Sequence, residues 1–446
     1  DKSDPDLAKD IAMHIAASNP VCLDQGDVPE DLVNREKRIF LEQASSSGKS
    51  SEIIEKIDGP IKGESIDCKG ACLAPGIVDI GPKICEPGER HKESFRTAST
   101  AAAAGGVTCL VTRPDTSPPI DTPEILEFFL TRASNSAKVK ILPMATLSKN
   151  LSGKEMSELG FMKDLGAIAF SEGLNYFHDT KYFQKTMQHI KALDLFIIGH
   201  PQENSLSEGS VATAGAFASK LGLPSVSTVA EKIGLERDLS LASLTEVKYH
   251  ADQITTEEGV ETLKRYKKTN YRISAGTSIH HISLNELDIG PYRTFFKITP
   301  PLRSEKDRLA VINGLKDGTI DIIGSFHTPQ DEESKRLPYE TAAPGAIGLE
   351  TILCSALRLT KDKIFNLPTL FKFLSLNPAN LIGAPFGRIR EGSPADLVVF
   401  DPDEPFLIDR FKLKSKSKNT PFDEQTMQGR VLMTYVNGEE VFRRYN

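Results

Sequence analysis

The stretch A-P-G-I-V-D-I-G-P-K-I-C-E-P-G, Ala74 to Gly88, decides the fold. A short β-branched run enters Asp79, and Glu86-Pro87-Gly88 turns the chain, which predicts a buried strand ending in a loop. Side chains alternate along a strand, so positions 81 and 83 point to one side. Two imidazoles at that spacing could grip one divalent cation. Gly81 and Lys83 cannot, since one has no side chain and the other is an ammonium.

Outward from this stretch, short apolar runs alternate with amphipathic segments of helical length. V-T-C-L-V-T (107–112), V-K-I-L-P-M (139–144), A-I-A-F (167–170), L-F-I-I-G (195–199) and I-D-I-I-G (320–324) read as buried parallel strands. Pro123–Ala137, Tyr182–Ala192 and Asp307–Lys316 read as intervening helices. Repeated strand-then-helix order predicts an α/β fold of the (β/α)8 TIM-like type over residues 76–387. Residues 58–75 and 388–446, with A-D-L-V-V-F-D and V-L-M-T-Y-V-N-G-E-E-V-F, predict a small β domain. With only Lys62 to Leu73 ahead of the barrel to pair with that tail, strands near Leu397–Phe400 and Val431–Val436 are expected to have exposed edges.

Residues 1–57 differ in texture. Asp4 is a candidate N-cap with Pro5 after it, and Leu7, Ile11 and Ile15 fall four apart. A second helix fits residues 29–44, and S-S-S-G-K breaks it, which predicts an N-terminal helical hairpin. Asp58-Gly59-Pro60 then separates the two textures.

The net charge of -7 argues against nucleic acid or anionic membrane as a partner. The six cysteines, Cys22, Cys68, Cys72, Cys85, Cys109 and Cys354, show no zinc-type spacing and read as reduced thiols of the cytoplasm. No apolar run approaches the roughly 18 residues of a membrane span.

On these residues the chain from about Gly63 to Asn446 resembles the dihydroorotases of the amidohydrolase superfamily. E-P-G-E-R-H-K-E, A-A-A-A-G-G-V-T, P-P-L-R-S-E-K-D-R, A-I-G-L-E-T, L-N-P-A and S-K-S-K-N-T-P-F carry the resemblance in order. It implies an amidohydrolase barrel that reversibly opens the ring of dihydroorotate in pyrimidine synthesis, using a divalent metal, usually zinc. A metal-bound hydroxide attacks the amide carbonyl and an Asp moves the proton.

Carried over residue by residue, that machinery is largely missing. The family's His-x-His pair falls on Gly81 and Lys83, and the Arg that clamps the substrate carboxylate falls on Cys85. The Asn of its Pro-Asn-Thr segment falls on Asp115. One ligand is kept as His200 in G-H-P-Q-E-N. The next falls on Gln253 in Y-H-A-D-Q-I-T-T. The catalytic Asp falls on Phe326 in S-F-H-T-P-Q, with the last His of that motif on Gln330. A bridging carboxylate is expected at Glu172. The resemblance therefore implies a barrel without metal and without its reaction, no cofactor being expected where the family would use zinc.

Lys83, Asp115, Glu172, His200, His327 and Asn377 are the pocket candidates. Lys83 either replaces the metal's charge beside Glu172 or Asp115, or snorkels to solvent. His200 is a leftover ligand or a hydrogen-bonded strand-end histidine. His280 and His281, adjacent on a strand, would diverge. Phe326 is expected to fill the space of a metal and its water.

Metal-lacking relatives of this kind act as structural partners of aspartate transcarbamoylase, which the resemblance makes the leading role, in a homo- or hetero-oligomer. The alternatives are an active dihydroorotase with a rearranged site, and translation-factor binding through residues 1–57. That segment resembles part of elongation factor Ts in I-A-M-H-I-A-A-S-N-P and S-G-K-x-x-x-I-x-E-K, but lacks a Thr-Asp-Phe-type motif. The pairing of two unrelated textures predicts a chimera.

Overall fold

A computed structural model describes residues 68, 70–270 and 272–444, with the backbone of strands at 12–13, 39–46 and 49–57. Eight parallel strands form the barrel: β1 (Ile77–Ile80), β2 (Val107–Thr112), β3 (Lys140–Ala145), β4 (Ala169–Phe170), β5 (Phe196–Gly199), β6 (Lys248–Ala251), β7 (Ile273–Ser278) and β8 (Ile322–Gly324). They are hydrogen-bonded in sequence order from β1 to β8. Every residue of β2 is buried, as a strand covered on both faces requires. Helices Thr180–Ala192 and Glu305–Lys316 begin two residues before the apolar periodicity suggests. Their starts are set by the caps Asp179 and Ser304, whose side chains accept from Tyr182 N–H and Asp307 N–H.

The last strand returns to the first through side-chain contacts. Asp79, fully buried on β1, accepts a hydrogen bond from Ser325 N–H at 2.7 Å and another from Ser325 Oγ, just past β8. Gly324 lets this seam close, because a Cβ there would stand 2.8 Å from the carbonyl oxygen of Ile80.

Cys72–Pro75, Leu397–Leu407, Thr426–Val436 and Glu439–Arg443 form a four-stranded antiparallel sheet. The expected exposed edges are not where the sequence suggested. Leu397–Phe400 lies between Cys72–Pro75 and the strand holding Val431–Val436, and the latter is covered by Glu439–Arg443. The short segment before the barrel suffices because it pairs along the apolar half of Leu397–Leu407.

The helical hairpin is also corrected where it can be seen. Ile39–Ser46 and Lys49–Ile57 pair antiparallel, and Ala12–Met13 pairs with Ile39 and Phe40. Ser46 opposes Lys49, so the strands pair up to the S-S-S-G-K stretch that was expected to break a helix. The rest of the predicted hairpin lies outside the described residues. Among the described residues no helix is long and apolar enough to cross a membrane.

Burial pushes the Asp79 carboxyl up to about 7, against the hydrogen bonds from Ser325. A raised folded-state value means that this group's stabilisation is complete below about pH 4 and is lost as pH rises through 7. Asp79→Asn is therefore expected to shrink the fall in urea midpoint between pH 5 and pH 8. Asp79→Ala, which leaves the N–H and O–H donors of Ser325 without an acceptor in the barrel wall, is expected to cost about 2–4 kcal/mol in urea denaturation.

Candidate functional site

The C-terminal ends of the strands carry the site, as barrel topology requires. Beyond β1 the chain reaches Gly81 at φ +95°, in the left-handed region. A Cβ at this position would lie 2.7 Å from Cε1 of Phe326, which is buried beyond β8 with its own φ at 44°. The ring thus lies directly against the α-carbon of residue 81.

Two residues on, Lys83 Nζ stands 3.5 Å from an Asp115 carboxylate oxygen and 3.4 Å from one of Glu89. Asp115 also accepts from Arg113 Nη2 at 3.4 Å, and Glu89 pairs with Lys92 at 2.5 Å. Lys92, Glu89, Lys83, Asp115 and Arg113 form one chain of alternating charge across the barrel mouth. Burial alone would raise the Glu89 carboxyl; Lys92 and Lys83 outweigh it and hold it below the usual range. Of the two partners expected for Lys83, Asp115 is the one it meets. Glu172 accepts instead from Ser148 N–H at 2.7 Å and Ser148 Oγ at 2.8 Å, and burial pushes its carboxyl up to about 7. The Cys85 thiol is pushed up to about 12, chiefly by burial, and is a poor nucleophile.

Beyond β5, His200 Nδ1 contacts Asp252 Oδ1 at 3.1 Å, while Nε2 meets no protein partner among the described residues. His200 and Glu172 line a cavity of about 20 Å³. His327 Nδ1 accepts from Gly348 N–H at 3.2 Å, and Nε2 stands 3.4 Å from Glu93. Glu93 in turn binds Ser415, so His327 belongs to a structural network.

Two sequence placements need correction. Asn377 is not in the mouth: its Nδ2 donates to Asp321 O at 2.8 Å, at the opposite end of β8. The L-N-P-A motif marks a helix start under the barrel, not a binding loop. His280 and His281 lie on the helix Ile279–Ser283 rather than on a strand. Ser278 caps that helix and holds His281 Nδ1 at 2.7 Å, leaving His280 to point elsewhere.

Arg113, Glu89, Asp252 and Ser148 were not singled out in the sequence. Arg113 and Asp252 sit two and one positions from Asp115 and Gln253, so charge balance around those substitutions is the signal that would have found them. Ser148 has no such signal, because its partner lies on another loop.

Among the described residues no three His, Cys, Asp or Glu side chains converge where a metal ion could be held. An ammonium at 83 and a phenyl ring against residue 81 do not fit a divalent cation either. The residues present do not suit the metal that the resemblance implies.

Comparison with known proteins agrees with the architecture. A Dihydro-orotase-like family model matches residues 70–259, an Amidohydrolase family model 346–442, and an Elongation factor TS model 1–65. The chain is 35% identical over 381 residues to the dihydroorotase of Desulforapulum autotrophicum, covering 85% of this chain and 89% of that one. It is 36% identical to a Listeria monocytogenes dihydroorotase, covering 89% and 93%. Its fold is similar to the L-hydantoinase (dihydropyrimidinase) of Arthrobacter aurescens, with TM-score 0.81, 22% identity and coverage of 97% and 95%. A dihydropyrimidinase from Brevibacillus agri gives 0.80 at 18% identity, with the same coverage.

If Lys83 neutralises this anionic surround, Lys83→Met should destabilise the protein by about 1–2 kcal/mol, less than a fully buried pair because Lys83 reaches solvent. Adding Asp115→Asn should recover part of the loss. Urea denaturation of the single and double variants measures both, and additivity would show that the two groups are uncoupled.

Proposed function

The chain belongs to the dihydroorotase family, and we propose that it is a member that binds no catalytic metal, has lost the reaction, and serves as a structural partner of aspartate transcarbamoylase. One observation carries the loss of activity. The Phe326 ring occupies the space over Gly81, where the resemblance expects metal ligands and a proton-transferring Asp. A phenyl ring neither binds zinc nor moves a proton, and the water-activating step has no donor set here. Cys85, in place of the carboxylate clamp, offers no bidentate donor. The partnership rests on the family resemblance, and the segment 1–57 reads as joined from a different protein.

The arrangement that favours residual enzyme activity is the His200–Asp252 pair, with Nε2 of His200 unengaged and Glu172 poised near 7. A base and an acid are thus at hand. Neither provides the electrophile that polarises an amide carbonyl.

Purified protein is expected to contain far less than one zinc per chain and to leave dihydroorotate unchanged even after zinc is added. It should co-elute with aspartate transcarbamoylase in size-exclusion chromatography. Turnover with stoichiometric zinc would overturn the reading, and separate elution would remove the partnership. Peptide mapping across Ile57–Gly63 tests the junction.

A further inference from the structure

We propose that Lys335 couples opening of the barrel mouth to a proton: the segment 337–345 comes away as the freed amine takes up a proton, so the mouth opens more readily as the solution acidifies.

Lys335 lies on the short helix Glu332–Arg336 and is 2% exposed. Its Nζ donates to Thr294 O at 3.0 Å, Lys297 O at 3.2 Å and Ala343 O at 2.8 Å. Those carbonyls belong to two walls of the mouth. Ile298 and Thr299, directly after Lys297, line the cavity beside Phe326, and so do Pro344, Gly345 and Ala346, directly after Ala343. The amine is therefore a clasp between the walls. Little else holds the second wall. Residues 337–345 form no helix or strand, Leu337 is exposed, and Tyr339 and Ala342 are the buried apolar anchors.

The clasp is a charge buried without a counter-charge. Among the described residues no carboxylate stands within ion-pair distance of Lys335, and the charge that acts on it is a second buried lysine, Lys297. Lys297 Nζ donates to a carbonyl as well, Glu340 O at 2.8 Å, and burial lowers its proton affinity too. The other ionisable groups around the helix are engaged or point outward. Glu332 pairs with Arg336 on the exposed side, and Glu333 and Glu340 are exposed. Arg293 and Arg410 lie over the Phe296 and Phe295 rings. Burial raises the Tyr339 phenol, which stays neutral.

A buried ammonium of this kind gives up its proton easily. Burial, with Lys297 adding like charge, pushes the Lys335 amine down to about 7. The closed arrangement tolerates the loss. A neutral amine keeps two N–H donors, and two of the three carbonyls have backbone partners of their own. Thr294 O accepts from Lys297 N–H at 3.0 Å, and Lys297 O from Gly345 N–H at 2.9 Å. Opening returns the amine to water and to the ordinary lysine range. Above about pH 7 the open state thus binds one proton more than the closed state, so raising the pH tightens the clasp. Well below 7 both states hold the proton and the dependence ends.

Hydrogen exchange of the full chain at pH 6.5, 7.5 and 8.5, read by mass spectrometry, tests this. Exchange times are scaled to the intrinsic rate with an unstructured peptide. Protection of residues 337–345 is expected to rise by about tenfold or more from pH 6.5 to 8.5. Lys335→Met should abolish the rise. Lys297→Met removes a like charge, so it should keep the rise and move it to higher pH. Equal protection at the three pH values would overturn the proposal, as would a rise that survives in Lys335→Met. Should Lys335→Met fail to fold, Lys297→Met decides: a rise left at the same pH overturns the proposal. These readouts need neither turnover nor a partner, so they stand apart from the proposed loss of the reaction.

Discussion

Asp79 and Ser325 tie the first strand of the barrel to the last, and both halves of the altered site hang from that contact. Residue 81 lies two positions beyond Asp79, and residue 326 is the next residue after Ser325. Closing the seam therefore brings their α-carbons to a fixed separation. Whatever stands at one position limits what fits at the other. With an aromatic ring at 326, the 2.7 Å approach leaves room at 81 for hydrogen alone. Gly81 and Phe326 are one packing solution, not two independent substitutions.

The same seam explains why charge collects nearby. Three acidic groups lie in or beside the mouth: Glu89, Glu172 and Asp115, the last standing where the family pattern has a neutral Asn. Lys83, Lys92 and Arg113 neutralise Glu89 and Asp115 by ion pairs; Glu172 is handled differently. Two hydrogen bonds from Ser148 hold it, and burial raises its proton affinity until the charge is only partly expressed at neutral pH. Coulomb pairing dominates where solvent still reaches the groups, and proton uptake dominates where it does not.

Much of the barrel was legible because buried parallel strands are continuous apolar runs. V-T-C-L-V-T became β2 without a shift at either end. Lys248–Ala251 and Ile273–Ser278 were missed as strands because Lys, His, Ser and Gly interrupt their apolar character. Those residues are there to meet neighbours, as His250 does with Ser274 Oγ at 2.8 Å. At the site, the positions that depart from the family pattern were legible, since each sits in a recognisable motif. The contacts made by the residues at those positions were not legible. The pairing of Lys83 with Asp115, and the ring of Phe326 against Gly81, join loops far apart in sequence, and only the closed barrel brings them together. Asn377 shows the converse: its motif is recognisable, yet it marks the far end of the barrel.

Partial restoration of a metal site meets the same geometric coupling. An imidazole at 81 collides with the ring at 326 and adds to the strain of a side chain at φ +95°. Removing the ring instead leaves a void in the barrel mouth, which costs about 3–5 kcal/mol for a buried phenylalanine, with Lys83 still repelling any cation that enters. Each single step toward the metal-bound arrangement is thus uphill in stability and gives no ligand set. The ring-filled, charge-paired mouth is a separate packed state rather than a damaged copy of the other, and the two cannot exist in one barrel at once.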